Sequence, residues 1–327
     1  RQMCIRDRHI FLFATALIFV GLFSELLINK LITLSRVFGW GHEFIGLSIL
    51  SIGTSIPEIS SHIAASIAIL RGGNMREISD IVVSTNIGSN IIQITLILGL
   101  VGLFMYVSTT KKFLKRDYLF MLIGILSIFF MGLNKNISRL ESLILIVAYL
   151  AYLIWIYLDD KRQAKREKRE IIVKSKTYKA FLVMLILLLL GLLLLSASLL
   201  INMATLLVEE TGISGTLLGA LVIGIGTAIP ELATAISSIR RHASGIGLGV
   251  LIGSNITNPL MALGIGGLIS TYYINPSILR IDLPFWFFSS VLILIFLRRD
   301  YKIHRNEAIC MLFLYFLFLG LKLLIGM

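Results

Sequence analysis

One hexapeptide pattern occurs twice in this chain, and each copy places a glutamate inside strongly apolar sequence. Residues 53–58 read GTSIPE, and residues 226–231, 173 positions later, read GTAIPE. A carboxylate at membrane depth is costly to bury, so such a residue is a candidate functional group. Because each acid occupies the same local frame in its own half, the pattern predicts a single site built from two repeats.

The composition places this motif in a membrane protein. The chain of 327 residues is 57% hydrophobic, and its mean hydropathy is +0.92. Only helices and closed barrels satisfy the backbone in lipid, and runs of this length indicate helices. The predicted fold class is an all-α integral membrane protein with ten transmembrane helices. The ten apolar segments lie near 10–34, 43–70, 77–106, 117–133, 140–158, 178–206, 213–239, 244–271, 282–297 and 307–325.

A single long polar connector, residues 159–177, divides the chain into two halves. Residues 9–158 form the first predicted five-helix repeat, and residues 178–327 form the second. Five is an odd number, so the second repeat enters the membrane with inverted topology. Residues 1–8 do not open with Met and match nothing later in the chain. They are interpreted as a non-native scar and left out of the fold prediction.

The distribution of basic residues predicts the orientation. The net charge of +12 arises from Lys and Arg in short connectors between apolar segments, which favours a membrane topology signal over a nucleic-acid surface. Connectors after the odd-numbered helices carry 20 Lys and Arg, whereas those after the even-numbered helices carry 5. We therefore expect a multi-pass protein of the plasma membrane, with residues 159–177 in the cytoplasm, both termini outside and no nucleic-acid partner.

The residues around the two glutamates are suited to hard cations. Pro57 has no N–H, so the Gly53 carbonyl loses its helical partner, and the hydroxyls of Thr54 and Ser55 lie on the helix face of Glu58. Carboxylate, hydroxyl and carbonyl oxygens suit Na⁺ and Ca²⁺. The second copy repeats the pattern, except that Ala228 replaces a hydroxyl residue.

A second doubled motif follows each glutamate. Residues 88–91 and 253–256 both read GSNI. The glycines allow helices to approach closely. Four residues after each serine, on the same helix face, stand Gln93 and Asn258. These two amides add polar side chains at membrane depth and no further acid.

Together the two motifs resemble the α-repeats of the cation/Ca²⁺ exchanger superfamily, most closely the sodium/calcium exchangers. The resemblance covers nearly the whole chain. It implies an alternating-access antiporter that exchanges Na⁺ for Ca²⁺ as a monomeric transport unit in the lipid bilayer, without enzymatic activity or cofactor. By position it assigns cation-ligand roles to Thr54, Ser55, Glu58, Ser89, Gln93, Thr227, Glu231, Ser254 and Asn258.

Three positions depart from the usual family pattern. The family typically has Asn at position 93, Ser at position 228 and Asp at position 258, where this chain has Gln, Ala and Asn. Gln93 resembles the H⁺/Ca²⁺ branch, so an H⁺/Ca²⁺ or other divalent-cation antiporter stays an alternative, and a cation channel a remote one. The sequence has no HExxH motif and no Ser/His or paired-Asp arrangement, which argues against an intramembrane enzyme.

Four other polar residues have expected roles of their own. Asn90 and Asn255 are expected to hydrogen-bond between helices. His62, one turn after Glu58, is interpreted as a packed histidine, with a proton sensor as the alternative. Lys322 is expected to extend its ammonium group toward the membrane surface.

Overall fold

The computed structural model describes residues 2–169, 171–209 and 228–324 and is almost entirely helical. In chain order the helices are α1 (Gln2–Phe38), α2 (His42–Thr54 and Ile56–Leu70), α3 (Met75–Phe104), α4 (111–132), α5 (Arg139–Arg166), α6 (Lys176–Glu209), α7 (Ile229–Arg240), α8 (Ser244–Ile269), α9 (Ile278–Asp300) and α10 (Arg305–Leu324). A short antiparallel pair, β1 (Asn136–Ile137) and β2 (Tyr272–Tyr273), joins two connectors. Each predicted apolar segment coincides with a helix; the first part of segment 213–239 lies outside the described residues.

Most of these helices meet the length and polarity requirements of a membrane span. Within the described residues, α1, α3, α5, α6, α8 and α9 are each long and apolar enough to cross a bilayer, and the two halves of α2 together make a seventh span. Helices α4 and α10 carry charged residues within their length. This alternation of spans and short connectors gives the predicted five-plus-five arrangement.

Two predicted boundaries differ from the structure. Helix α5 continues to Arg166 and α6 begins at Lys176, so much of the predicted connector 159–177 is helical. Lys, Arg, Gln and Ala are good helix formers, and a helix that leaves the apolar region can continue in water. The remaining connector folds back onto α1, since the Ile172 N–H donates to the Arg36 carbonyl at 3.0 Å. Residues 2–8 are likewise helical, as the start of α1.

The helices differ sharply in how much of their surface is enclosed. Helix α8 is almost wholly buried and α3 largely so, whereas α1, α5 and α6 are mostly exposed. Helices α1 and α6 form the most extensive helix–helix contact in the described residues. Their outer faces carry exposed apolar side chains, such as Phe11, Ile18, Leu187 and Leu195. The most apolar surface therefore faces outward, and the polar side chains collect around α8.

Glycines bring α2 and α8 into backbone contact. A Cβ added at Gly46 would lie 2.5 Å from the Ile246 carbonyl oxygen, and one added at Gly253 would lie 2.7 Å from the Cβ of Ser51. Real Cβ atoms do not approach other atoms so closely, so neither position accepts a side chain without displacement of the other helix. This crossing brings the end of the first half of α2 beside the α8 motif.

Repeat-related aspartates anchor the outer helix pairs. Asp117 of α4 and Asp282 of α9 lie 165 residues apart, the spacing that also separates the two GSNI motifs. Asp117 contacts Arg116 and the Tyr152 hydroxyl of α5, each at 2.8 Å. Asp282 is 1% exposed, and the Lys322 ammonium of α10 lies 2.8 Å from it. The expectation that Lys322 extends toward the membrane surface was therefore wrong, because a buried carboxylate within its reach needs a counter-charge.

Removing one member of this pair leaves a buried charge without a partner. We expect Lys322→Met to lower the free energy of unfolding by about 3–5 kcal/mol, detected as a lower melting temperature in detergent. The double variant Asp282→Asn/Lys322→Met removes both charges and should recover most of the loss. A double variant as unstable as Lys322→Met would contradict the pairing.

The repeat-related glycines Gly253 and Gly88 provide a matched test of the α2–α8 crossing. A Cβ at Gly88 would have no neighbour within 4 Å, in contrast to Gly253. Overpacking costs about 1–3 kcal/mol, so Gly253→Ala should lower the melting temperature and weaken cation binding, whereas Gly88→Ala should leave both near wild type. Equal effects of the two substitutions would show that α2 and α8 do not approach as described.

Candidate cation-binding site

Glu58 follows a break in α2, and Glu231 stands in the first described turn of α7. Ser55, with φ −83° and ψ 3°, separates the two halves of α2, which meet at an angle of 44°. Pro57 in the first turn of the second half cannot donate a backbone hydrogen bond, which contributes to this break. Ala228, with φ −93° and ψ 4°, precedes Pro230 and the described part of α7 in the same way. Glu58 and Glu231 thus each follow a proline directly, in the first turn of the second half of α2 and in the first described turn of α7.

The two carboxylates are buried near each other without a positive partner. Glu58 is 5% exposed and Glu231 is fully buried, and the Glu58 carboxylate is close enough to act electrostatically on Glu231. No Lys or Arg in the described part of the chain forms an ion pair with either residue. Two like charges in a low-dielectric interior repel strongly, so their coexistence requires a cation or a proton.

Several side-chain oxygen atoms of the candidate residues have no hydrogen-bond partner among the described residues. They are Ser55 Oγ, both carboxylate oxygens of Glu58, Glu231 Oε2 and Asn258 Oδ1, all buried. A buried acceptor without a partner costs free energy. Carboxylate, hydroxyl and amide oxygens are the ligands that Na⁺ and Ca²⁺ prefer, so these atoms are candidate cation ligands.

Two of the predicted hydroxyl ligands, Thr54 and Ser254, lie beside Glu231. Ser254 Oγ is 3.5 Å from Glu231 Oε1. The Thr54 side chain is beside Glu231, although its hydroxyl donates to the Leu50 carbonyl at 3.1 Å. Ser89 Oγ is 3.5 Å from Gln93 Nε2. The predicted ligand Thr227 lies outside the described residues.

The amide side chains connect α3 with α8. Asn258 Nδ2 donates to Asn90 Oδ1 at 3.0 Å, and Asn255 Nδ2 donates to Gln93 Oε1 at 2.8 Å. The prediction that Asn90 and Asn255 hydrogen-bond between helices is confirmed. The predicted ligand Gln93 lies at the site, but its amide oxygen is already engaged by Asn255.

Widened helical turns occur at the site and were not predicted. Gln93–Ile97 in α3 and Asn258–Ala262 in α8 both form π-type turns, which interrupt the regular backbone hydrogen-bond pattern. In α8 the Asn258 carbonyl accepts a hydrogen bond from the Asn86 side chain at 3.2 Å. Pro259 was the available signal in α8, since it lacks an N–H. The turn in α3 contains no proline.

Sequence reasoning also missed a polar cluster behind the site. His62 is fully buried, with Nε2 3.0 Å from Asn86 Nδ2 and Nδ1 3.3 Å from the Tyr272 hydroxyl. Because the Asn86 amide nitrogen donates, Nε2 accepts and Nδ1 carries the proton. His62 is therefore a packed, hydrogen-bonded histidine, as predicted. Its partners in α3 and β2 come from distant parts of the chain, so the local sequence gave no signal for them.

Comparisons with known proteins agree with this architecture. The family model described as sodium/calcium exchanger protein matches residues 8–158 and 181–324. Inner membrane protein YrbG of Escherichia coli (strain K12) is 32% identical over 279 residues, covering 81% of this chain and 82% of that protein. The sodium/calcium exchanger MaX1 of Methanosarcina acetivorans is 27% identical over 340 residues, covering 93% and 95% of the two chains.

A solved structure shares the fold. The sodium-calcium exchanger NCX_Mj, in crystals soaked with 10 mM Na⁺ and no Ca²⁺, superimposes with a TM-score of 0.80 at 24% identity. The match covers 96% of this chain and 99% of that one. The match to the family model spans both repeats and therefore both copies of the motif. This chain belongs to the sodium/calcium exchanger protein family.

Proposed function

We propose that this protein is a secondary active antiporter that moves Ca²⁺ out of the cytoplasm in exchange for Na⁺, through one site between α2, α3, α7 and α8. The observation that carries the proposal is the group of unpaired oxygens around two buried carboxylates. The sodium/calcium exchangers among its relatives support the choice of ions.

The charge at the site favours exchange over unidirectional flow. Two carboxylates balance one Ca²⁺ or two Na⁺. A buried pair without a cation is costly, so the loaded site can close to both sides far more readily than the unloaded one. Each change of access then requires a bound cation, which is the requirement for antiport.

Ligand roles are assigned according to the geometry. The Glu58 and Glu231 carboxylates supply the charge, and the Ser55 and Asn258 oxygens complete the polar shell. The hydroxyls of Thr54, Ser89, Thr227 and Ser254 are proposed as further ligands as ions enter or leave.

The proposed setting is the plasma membrane, with residues 159–177 in the cytoplasm, both termini outside and one chain as the transport unit. The excess of Lys and Arg on the loop side supports this orientation. The exposed apolar faces of α1, α5 and α6 fit contact with lipid.

Neutralising either glutamate should abolish exchange. Glu58→Gln and Glu231→Gln keep the side-chain shape but remove a charge that a desolvated divalent cation needs. We expect Na⁺-driven ⁴⁵Ca²⁺ uptake into proteoliposomes to fall to the level of empty liposomes in both variants. Parallel K⁺ and H⁺ gradients identify the coupling ion.

The matched control is Glu141→Gln, in the capping box of α5. Gln also serves at this capping position, so uptake and melting temperature should stay near wild type. Substantial uptake by Glu58→Gln or Glu231→Gln, in protein as stable as this control, would refute the assigned site.

Cysteine labelling tests the orientation. In a background with Cys4→Ser and Cys310→Ser, Ser175→Cys should react with a membrane-impermeant maleimide only from the cytoplasmic side. Asn134→Cys, in the connector between α4 and α5, should react only from outside. Both residues are exposed. The reverse labelling pattern would invert the proposed topology and the direction of transport.

A further inference from the structure

Two repeat-related amide pairs at the site have opposite hydrogen-bond polarity. Asn90 and Asn255 lie 165 residues apart, as do Gln93 and Asn258. In one pair Asn258 donates its amide nitrogen to Asn90. In the other, Gln93 accepts with its amide oxygen from Asn255. Equivalent positions 258 and 93 therefore use opposite ends of their amides in these pairs: Asn258 Oδ1 has no partner among the described residues, whereas Gln93 Nε2 is directed to Ser89 Oγ.

The polarity of the first pair follows from a backbone carbonyl. The Asn258 carbonyl can only accept, so it fixes the Asn86 amide nitrogen toward itself at 3.2 Å. Asn86 Oδ1 then faces Asn90 Nδ2, at 3.5 Å, which turns Asn90 Oδ1 toward Asn258 Nδ2. The remaining atom, Asn258 Oδ1, is buried and unpaired. It lies one helical turn beyond Ser254, which contacts Glu231.

The polarity of the second pair follows from an indole. Trp286 of α9 is fully buried, and its Nε1–H, which can only donate, lies 3.1 Å from Asn255 Oδ1. The Leu251 carbonyl, which can only accept, holds Asn255 Nδ2 at 2.9 Å. With its oxygen taken, Asn255 can offer Gln93 only the nitrogen. Gln93 must therefore accept this hydrogen bond with Oε1. Its amide nitrogen Nε2 then lies 3.5 Å from Ser89 Oγ.

The first repeat has no counterpart of this indole. The residue 165 positions before Trp286 is Met121, which has no N–H to donate. Asn90 accordingly keeps its oxygen available for Asn258. The difference between the two amide pairs thus coincides with two substitutions among the residues that orient them: a donor at position 286 against none at position 121, and Leu251 in place of Asn86.

We propose that Trp286 is a positioning residue that acts through Asn255 to turn the Gln93 amide nitrogen toward the site. Asn258 is then a cation ligand through Oδ1, and Gln93 is a hydrogen-bond donor to Ser89 that does not bind the cation. This inference rests on the proposed function and changes its ligand set at position 93. An N–H₂ group facing a cation is unfavourable, so Trp286 sets the cation affinity below the value that two oxygen-presenting amides would give.

The first test compares removal of the two amides by near-isosteric apolar residues. Equilibrium ⁴⁵Ca²⁺ binding to the purified protein in detergent gives the half-saturating Ca²⁺ concentration without reference to the coupling ion. Losing a ligand to a charged group costs more than losing a neutral hydrogen bond, so Asn258→Leu should raise this value about tenfold or more, and Gln93→Met less than about threefold. An equal or larger effect of Gln93→Met would overturn the assignment.

The second test is a double-mutant cycle. Trp286→Phe keeps an aromatic ring but frees Asn255 Oδ1 to accept from Gln93, as Asn90 accepts from Asn258. The Gln93 oxygen can then face the cation, and the half-saturating Ca²⁺ concentration should fall about threefold. In the Gln93→Met background, Trp286→Phe should have no such effect, because the coupling runs through Gln93.

The possible outcomes distinguish a failure of the role assigned to Trp286 from a failure of the proposed function. A purely structural tryptophan would weaken binding on substitution, equally in both backgrounds, and that result overturns the role of Trp286. Trp286→Met, which copies the residue of the first repeat, serves if the Phe variant is not monodisperse. Absence of Ca²⁺ binding by the wild-type protein would overturn the proposed function and this inference with it.

Discussion

The structure depends on the burial of two carboxylates that have no positive side chain to balance them. In a low-dielectric interior such a pair is tolerated only with a cation or proton between its members. The other structural features around the site help to meet this requirement. The break in α2 places Glu58 in the first turn of a half-helix, the Ser254 hydroxyl lies beside Glu231, and the surrounding helices bury both carboxylates. Because burying the pair without a cation costs free energy, the change of access is coupled to ion occupancy.

Precise placement comes from close backbone contact rather than from side-chain bulk. The crossing of α2 and α8 through Gly46 and Gly253 sets Ser51 of α2 against α8 at Gly253, next to Ser254, which lies 3.5 Å from the Glu231 carboxylate. At the periphery, Asp117 and Asp282 secure α4 to α5 and α9 to α10 with chemically different partners. Arg116 and Tyr152 satisfy the first aspartate, and Lys322 the second. The two repeats thus share a backbone plan while their polar contacts have diverged, and the amide pairs around Asn255 and Asn90 show the same divergence within the site.

Much of this architecture was predictable from the sequence, and the limits have physical causes. The apolar segments predicted the helices because membrane spans have a fixed length and their polarity changes abruptly at the ends. Pro57 predicted the break because it removes a donor whatever its surroundings. Ser55, Glu58, Glu231 and Asn258 each carry a buried oxygen without a hydrogen-bond partner among the described residues, and their role as cation ligands stays a prediction. The orientation of the Gln93 amide was beyond reach, because it depends on Trp286, nearly two hundred residues away. The Lys322–Asp282 pair was missed for the same reason. The local sequence places the lysine near a helix end, and therefore near the membrane surface, but it does not reveal a carboxylate on another helix.

The central claim is that one cation binds between the two glutamates. The most direct measurement is an anomalous difference map from crystals of the wild-type protein grown with Ca²⁺ and little Na⁺. This account predicts a peak within about 2.3–2.6 Å of carboxylate oxygens from both Glu58 and Glu231, and its disappearance when Na⁺ is raised. A Ca²⁺ peak that contacts only one of the two glutamates, or lies outside the space they share, would contradict it.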